Sequence, residues 1–289
     1  MQSANDEDHQ LFASLVNKRL GLVPELEVLA ESIVPDASKP LGLRFWTLKA
    51  LALRAHPKLS SLLKATVQLL DSDDDSAMAV DNRPAQPLPL ATAKQFAVLL
   101  SDDGVGLSKQ DFAVIKPLYK QRVLGSLKPE LIKRFQTGPA PNKAAVLLTL
   151  AGLLRSVPQQ LLVTELPEVL PLVLQMVGPL STEDATSSTE LHLAALKIFL
   201  AVPTGTLIEH VGTLIPASLR LATATTAVAS SQVKVAAIEL LRAFSGVTPY
   251  HHIHPFRQQV INSLGIALDD AKRAVRRAAA DCRTRWLNL

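Results

Sequence analysis

Leu191-His192-Leu193-Ala194-Ala195, Val233-Lys234-Val235-Ala236-Ala237 and Val275-Arg276-Arg277-Ala278-Ala279 decide how this chain is read. Their polar members His192, Lys234 and Arg276 stand 42 residues apart, twice over. Each is flanked by apolar residues near the start of a stretch whose apolar positions recur at helical period. Each stretch is followed by a second one of the same kind. The polar residue changes type while its position holds. That is the behaviour of a structural slot rather than of a shared catalytic group.

A repeat of roughly 40–47 residues made of helix pairs marks HEAT and armadillo arrays. The expected fold is all-α: a HEAT-repeat α-solenoid of about six helix pairs. Composition agrees. Hydrophobic residues make up 48% of the chain but aromatics only 4%, with Leu, Ala and Val dominant. Medium aliphatic side chains suit helix-on-helix packing, whereas strands favour aromatic and β-branched residues.

Outward from the three strings the register is clear from residue 141. Helices over 142–157, 187–202 and 229–246 precede partners over 158–177, 205–222 and 249–268, and 270–287 closes the chain. Hinges recur at Ser156-Val157-Pro158, Ala201-Val202-Pro203 and Gly246-Val247-Thr248-Pro249, since proline is tolerated at a helix start. Upstream, residues 1–35 read as a helix pair from a preceding repeat, with a first helix over 9–20 ending at Gly21. Leu11, Phe12, Leu15 and Val16 make a poor polar cap, so a piece of a longer array is expected. Residues 36–70 read as a HEAT-like repeat, with Arg44 at the ladder position. Residues 71–90, with five Asp and a run of Pro, read as a disordered acidic loop. The remainder, 91–289, reads as HEAT repeats, most regular over 187–289. Within it a helix starting near Ser108 carries Phe112, Ile115 and Tyr119 on one face and is kinked at Pro117. A polar loop is expected over 178–188.

Several chemistries are excluded by residue count or spacing. One cysteine, Cys282, rules out an internal disulfide and a cysteine-based metal site within one chain. Gly104-Val105-Gly106 lacks the context of a phosphate loop. Tyr250-His251-His252-Ile253-His254 contains no carboxylate and reads as a helix start. No catalytic group and no cofactor site emerge, so the chain is not expected to be an enzyme. The N-terminus has no signal-peptide pattern, and no long uncharged apolar run appears. A soluble intracellular protein is expected.

Two sets of residues remain as site candidates. Asp270, five and six residues before Val275 and Arg276, resembles the HEAT ladder, in which Asp and Arg of successive repeats alternate. Asp270, Val275, Arg276, Lys234 and His192 are the ladder candidates. The second set is basic: Lys272, Arg273, Arg276, Arg277, Arg283 and Arg285 crowd into the final helix. Ala274, Val275, Ala278, Ala279, Cys282 and Trp286 form its apolar stripe. Guanidinium groups bind carboxylates in a fork, so an acidic protein surface is a natural partner. Nucleic acid and a merely solvated terminal face are the competing readings. The overall charge of +4 is too mild to favour nucleic acid.

Three strings carry a family resemblance. They are AAVLLTLAGLLRSVPQQLLVTELPEVLPLVL (144–174), TPYHHIHPFRQQVINSL (248–264) and LDDAKRAVRRAAADCRTRW (268–286). With Ile115-Lys116-Pro117-Leu118-Tyr119-Lys120-Gln121-Arg122-Val123, they resemble the C-terminal HEAT region of the MMS-nineteen family. That family is the scaffold of the cytosolic iron–sulfur assembly (CIA) targeting complex. The resemblance implies an adaptor that holds no cluster itself, acting in cytoplasm and nucleus. It implies docking of a small targeting subunit and, through it, a WD-repeat propeller. It also implies apo iron–sulfur clients such as DNA-repair and replication enzymes, with no direct nucleic acid and no membrane. A HEAT module of nuclear transport or chromatin assembly is the alternative.

Overall fold

The computed structural model describes residues 2–71, 88–102, 107, 116–178, 185–224 and 230–289. Among these, all regular structure is helical. The chain divides into two compact units, Met1–Leu161 and Leu162–Leu289.

The first unit contains α1 (Gln2–Arg19), α2 (Pro24–Ile33), α3 (Leu41–Leu53), α4 (Leu59–Gln68), α5 (Leu88–Leu100), α6 (Pro117–Thr137) and α7 (Ala140–Arg155). α1, α3, α5 and α7 each pack on the next in one row, and α4 packs on α6 in the other. This two-layer stacking of helix pairs is the α-solenoid architecture. Phe45, Leu48, Leu51, Phe96 and Leu99 are fully buried between the rows. α5 and α7 approach closely where Gly152 faces Ala97, so that a Cβ at Gly152 would sit 3.2 Å from the Ala97 Cβ.

The boundary between the units falls within α8 (Gln159–Met176). The second unit continues with α9 (Ala185–Ala201), α10 (Val211–Thr223), α11 (Ser231–Val247), α12 (Tyr250–Ile253), α13 (Arg257–Ala267) and α14 (Arg273–Leu287). A 3₁₀ segment, Thr204–His210, leads into α10. α11 packs on both α9 and α14, and α10 packs on α13, giving the same two rows. Ser230 caps α11 by accepting from the Val233 amide at 3.3 Å.

The structure corrects several boundaries. α1 starts at Gln2 rather than near residue 9. Pro117 does not kink a helix; it occupies the first turn of α6, where its missing N–H is no loss. Ser108, Phe112 and Ile115 lie outside the described residues, as does the acidic stretch 72–87. Leu88–Leu90 belong to α5 and not to the loop, because the side chain of Pro89 is buried in its first turn. The loop expected over 178–188 ends by Ala185, where α9 begins and buries Ser187 and Ser188.

One recurrent device ties helix ends to their neighbours. The last carbonyls of a helix have no intrahelical donor and carry the negative end of its dipole. In the first unit, Arg44 Nε donates to Val34 O at 2.8 Å and Arg54 Nε to Asn17 O at 2.6 Å. Lys49 Nζ donates to Ser101 O at 2.9 Å and Lys120 Nζ to Ser156 O at 2.7 Å. In the second, Arg220 donates to Val177 O and Arg257 Nη2 to Leu287 O, the latter at 2.7 Å. Each accepting carbonyl lies in the last turn of a helix or just beyond it. Such charge-assisted bonds contribute about 1.5–3 kcal/mol each. They explain how Lys49 and Lys120 can be buried as cations.

Candidate functional site

The 42-residue slot sets the second unit's polar geometry. Lys234 and Arg276 are both the fourth residue of their helices, as Arg44 is of α3. Lys234 Nζ reaches Asp270 Oδ2 at 2.6 Å, with both side chains largely shielded from solvent. That bond holds the Asp270 carboxyl below its ordinary value, helped by the Lys272 amide, which donates to Oδ1 at 2.8 Å. Arg276 Nη1 donates to the carbonyls of Asp270 and Ala271 at 2.7 and 3.0 Å. His192 Nε2 lies 3.5 Å from Gly178 O. Its burial, with Arg220 nearby, lowers the imidazole below the ordinary histidine value, against the opposing pull of the Gly178 carbonyl. Val275 is fully buried. The slot therefore joins each first helix to an adjoining loop, by a carboxylate in one case and carbonyls in the others.

The six basic residues of the final helix separate into two groups. Arg276 and Arg283 are tied back into the protein, Arg283 Nε pointing at Ile261 O from 3.4 Å. Among the described residues, the side chains of Lys272, Arg273, Arg277 and Arg285 make no hydrogen bond or ion pair, and all four are exposed.

The apolar stripe is narrower than the sequence suggests. Val275, Ala279, Cys282 and Trp286 are fully buried, but Ala274 is exposed and Ala278 half-buried. Trp286 anchors the helix, its indole N–H donating to Leu241 O at 3.0 Å. Burial pushes the Cys282 thiol up to about 12, the signature of a packing residue. Ala274 and Ala278 instead face α11 across an open groove of about 420 Å³. Val235 and Ile238 complete its floor, and Arg242, Arg273 and Arg277 stand along it with Glu239 and Asp281. Residue spacing alone gives no sign of this groove, because it lies between side chains of two helices from successive repeats.

The histidines near the α12 start are exposed and, among the described residues, make no ion pair; the His251 and His252 rings lie 4.2 Å apart, tilted by 41°. A different histidine forms a cluster that sequence reasoning missed. Buried His56 places Nε2 2.9 Å from Glu27 Oε1 and 3.3 Å from Glu31 Oε1. Its Nδ1 accepts from the Lys58 amide at 3.3 Å, which leaves the proton on Nε2 to be shared by the two carboxylates. Lys58 Nζ holds the other oxygen of Glu31 at 2.7 Å. These bonds clip α2 to the turn after α3, and the side chains of Glu27, Glu31 and His56 bring one potential ligand atom each within 4.8 Å of one another. The i, i+4 pair Glu27/Glu31 was the available signal, but nothing in the sequence joins it to a histidine 25 residues later.

Among the described residues, no helix is long and apolar enough to cross a membrane. Residues 6–245 match the MMS19_C family model, described as RNAPII transcription regulator C-terminal. The chain is 31% identical over 287 residues to a Xenopus laevis protein named MMS19 nucleotide excision repair protein homolog, covering 96% of this chain and 26% of the relative. It is 31% identical over 255 residues to the human protein of that name, covering 88% and 23%. The Schizosaccharomyces pombe DNA repair/transcription protein mms19 is 29% identical over 254 residues, covering 87% and 23%. The chain thus spans about a quarter of the length of the curated relatives it matches. With the helix-pair architecture and a family match over most of its length, the chain belongs to the MMS19 C-terminal family.

Proposed function

We propose that this chain is a protein-interaction scaffold acting in the DNA-repair and transcription setting that its relatives' names carry. More narrowly, it serves as the C-terminal part of the CIA targeting scaffold. It docks the small targeting subunit, and through it the WD-repeat propeller, so that clusters reach apo clients such as repair and replication enzymes. It works in cytoplasm and nucleus as an adaptor without catalysis of its own. The observation that supports this reading best is the last repeat of a family-matched chain, which keeps Lys272, Arg273, Arg277 and Arg285 exposed and, among the described residues, unpaired. Unpaired guanidinium and ammonium groups on a rigid helix favour an acidic protein surface and raise its association rate.

The test is affinity capture from extract of the source cell, followed by mass spectrometry. The targeting subunit and propeller are expected with the wild-type chain and are reduced at least tenfold with Arg273→Glu/Arg277→Glu. Recovery of a Ran-type GTPase or a condensin-like subunit in their place would move the chain to nuclear transport or chromatin assembly.

A further inference from the structure

The groove between α11 and α14 has a polarity along its length that the scaffold reading does not use. The two helices run in the same direction. Lys234, near the start of α11, meets Asp270 just before α14, while Leu241 near the end of α11 receives the Trp286 indole from the end of α14. At the shared N-terminal end, Arg273 and Arg277 flank a floor of Val235, Ile238, Ala274 and Ala278. Just before this end of α14, the Asp270 carboxylate accepts from the Lys272 amide at 2.8 Å, and the first turn itself carries no acidic residue. Further along the two helices, Glu239, Arg242 and Asp281 also line the groove. Among the described residues, none of these five charged side chains is ion-paired. Arg273 and Arg277 therefore stand towards the N-terminal end of the groove, and both of its carboxylates, with Arg242, further along.

We infer that this groove binds a peptide segment of a protein partner in one orientation. A cluster of Asp or Glu sits at the Arg273/Arg277 end, an aliphatic side chain rests on the Val235/Ile238/Ala274/Ala278 floor, and a basic residue lies against Glu239 and Asp281. Two arginines one helical turn apart on the groove wall select carboxylates, because guanidinium forks match their geometry. The floor is only alanine-deep on the α14 side, which admits a medium aliphatic side chain. Glu239 and Asp281 disfavour a uniformly anionic ligand such as a nucleic-acid backbone, which would meet like charge there. This inference rests on the scaffold reading and names the chemistry of one docking site within it.

A random peptide library displayed on phage, selected on the full chain, tests it. Enriched peptides are expected to carry an acidic cluster beside Leu, Ile or Val, followed by Lys or Arg. A synthetic peptide of the enriched sequence loses affinity roughly tenfold or more on Arg273→Glu/Arg277→Glu. Ala274→Glu, which places a carboxylate on the exposed floor, does the same, and Arg273→Lys/Arg277→Lys falls between. Circular dichroism of every variant matches the wild type. Selected peptides without acidic clusters, or peptides bound equally by wild type and the charge-reversed variant, would overturn the inference. So would a mixed-sequence single-stranded DNA that binds through Arg273 and Arg277 more tightly than any selected peptide. Loss of CIA components in the capture experiment with peptide binding intact would instead overturn the scaffold identity alone.

Discussion

Single residues in this chain carry consequences out of proportion to their number. Trp286 is fully buried and hydrogen-bonded. Trp286→Ala is expected to cost about 3–5 kcal/mol, read as a shift in the urea midpoint, because it leaves a cavity and strips α14 of its anchor. Trp286→Phe keeps most of the volume and costs far less. His192 makes stability depend on pH. Its folded value lies below the ordinary 6.5, mainly through burial, so the unfolded chain takes up its proton first. Its contribution is therefore present above about 6.5 and is lost as pH falls towards the lowered folded value. Thermal melts across that window should show a decline that His192→Gln removes. Cys282 should resist iodoacetamide in the native protein and react at the free-thiol rate only in denaturant, since burial holds its thiol up at about 12. Little of this was legible in the sequence. Trp286 and Cys282 could be placed on an apolar face from spacing. The environment of His192 comes from Gly178 and Arg220, which only folding brings to it.

Among elements, the helices themselves were largely readable, because proline, serine and glycine punctuate them. Gly21 adopts a φ of 81° after α1, and Pro24 and Pro117 open α2 and α6. What the pattern could not supply were the bonds between elements. The clip of His56 on Glu27 and Glu31 joins α2 to the turn after α3. His56→Ala should lower stability by about 1.5–3 kcal/mol, the range for hydrogen bonds to charged groups, and should raise amide exchange in α2 first. The 3₁₀ turn Leu69–Asp71 packs on α5, and Asp71 is ion-paired with Arg134 of α6. The Asp71 end of the 72–87 stretch is thus held on the folded helices. Replacing that stretch with a short Gly-Ser linker should leave the melting temperature within a few degrees, since each doubling of loop length costs only about 0.6 kcal/mol.

For the molecule as a whole, charge placement matters more than the total of +4. Arg44, Lys49, Arg54, Lys120, Arg220 and Arg257 are spent on helix ends, whereas Lys272, Arg273, Arg277 and Arg285 stand exposed at α14. Capture of an acidic partner through them should weaken steeply as salt rises from low to physiological strength, checked by repeating the capture across a salt series. The sequence by itself determined the helical repeat, its 42-residue period and the basic end of the array, because periodicity and composition are local properties. Family membership was legible too, through the strings around Tyr119 and in the final helix. Only the tertiary structure decided which arginines are tied to carbonyls and which stand free. Arg276 and Arg277 are neighbours in sequence, but a residue's rotation about the helix axis sends one to the Asp270 loop and the other to the groove. That division depends on how α14 is set against α11, a property of packing between repeats that no single stretch of sequence encodes.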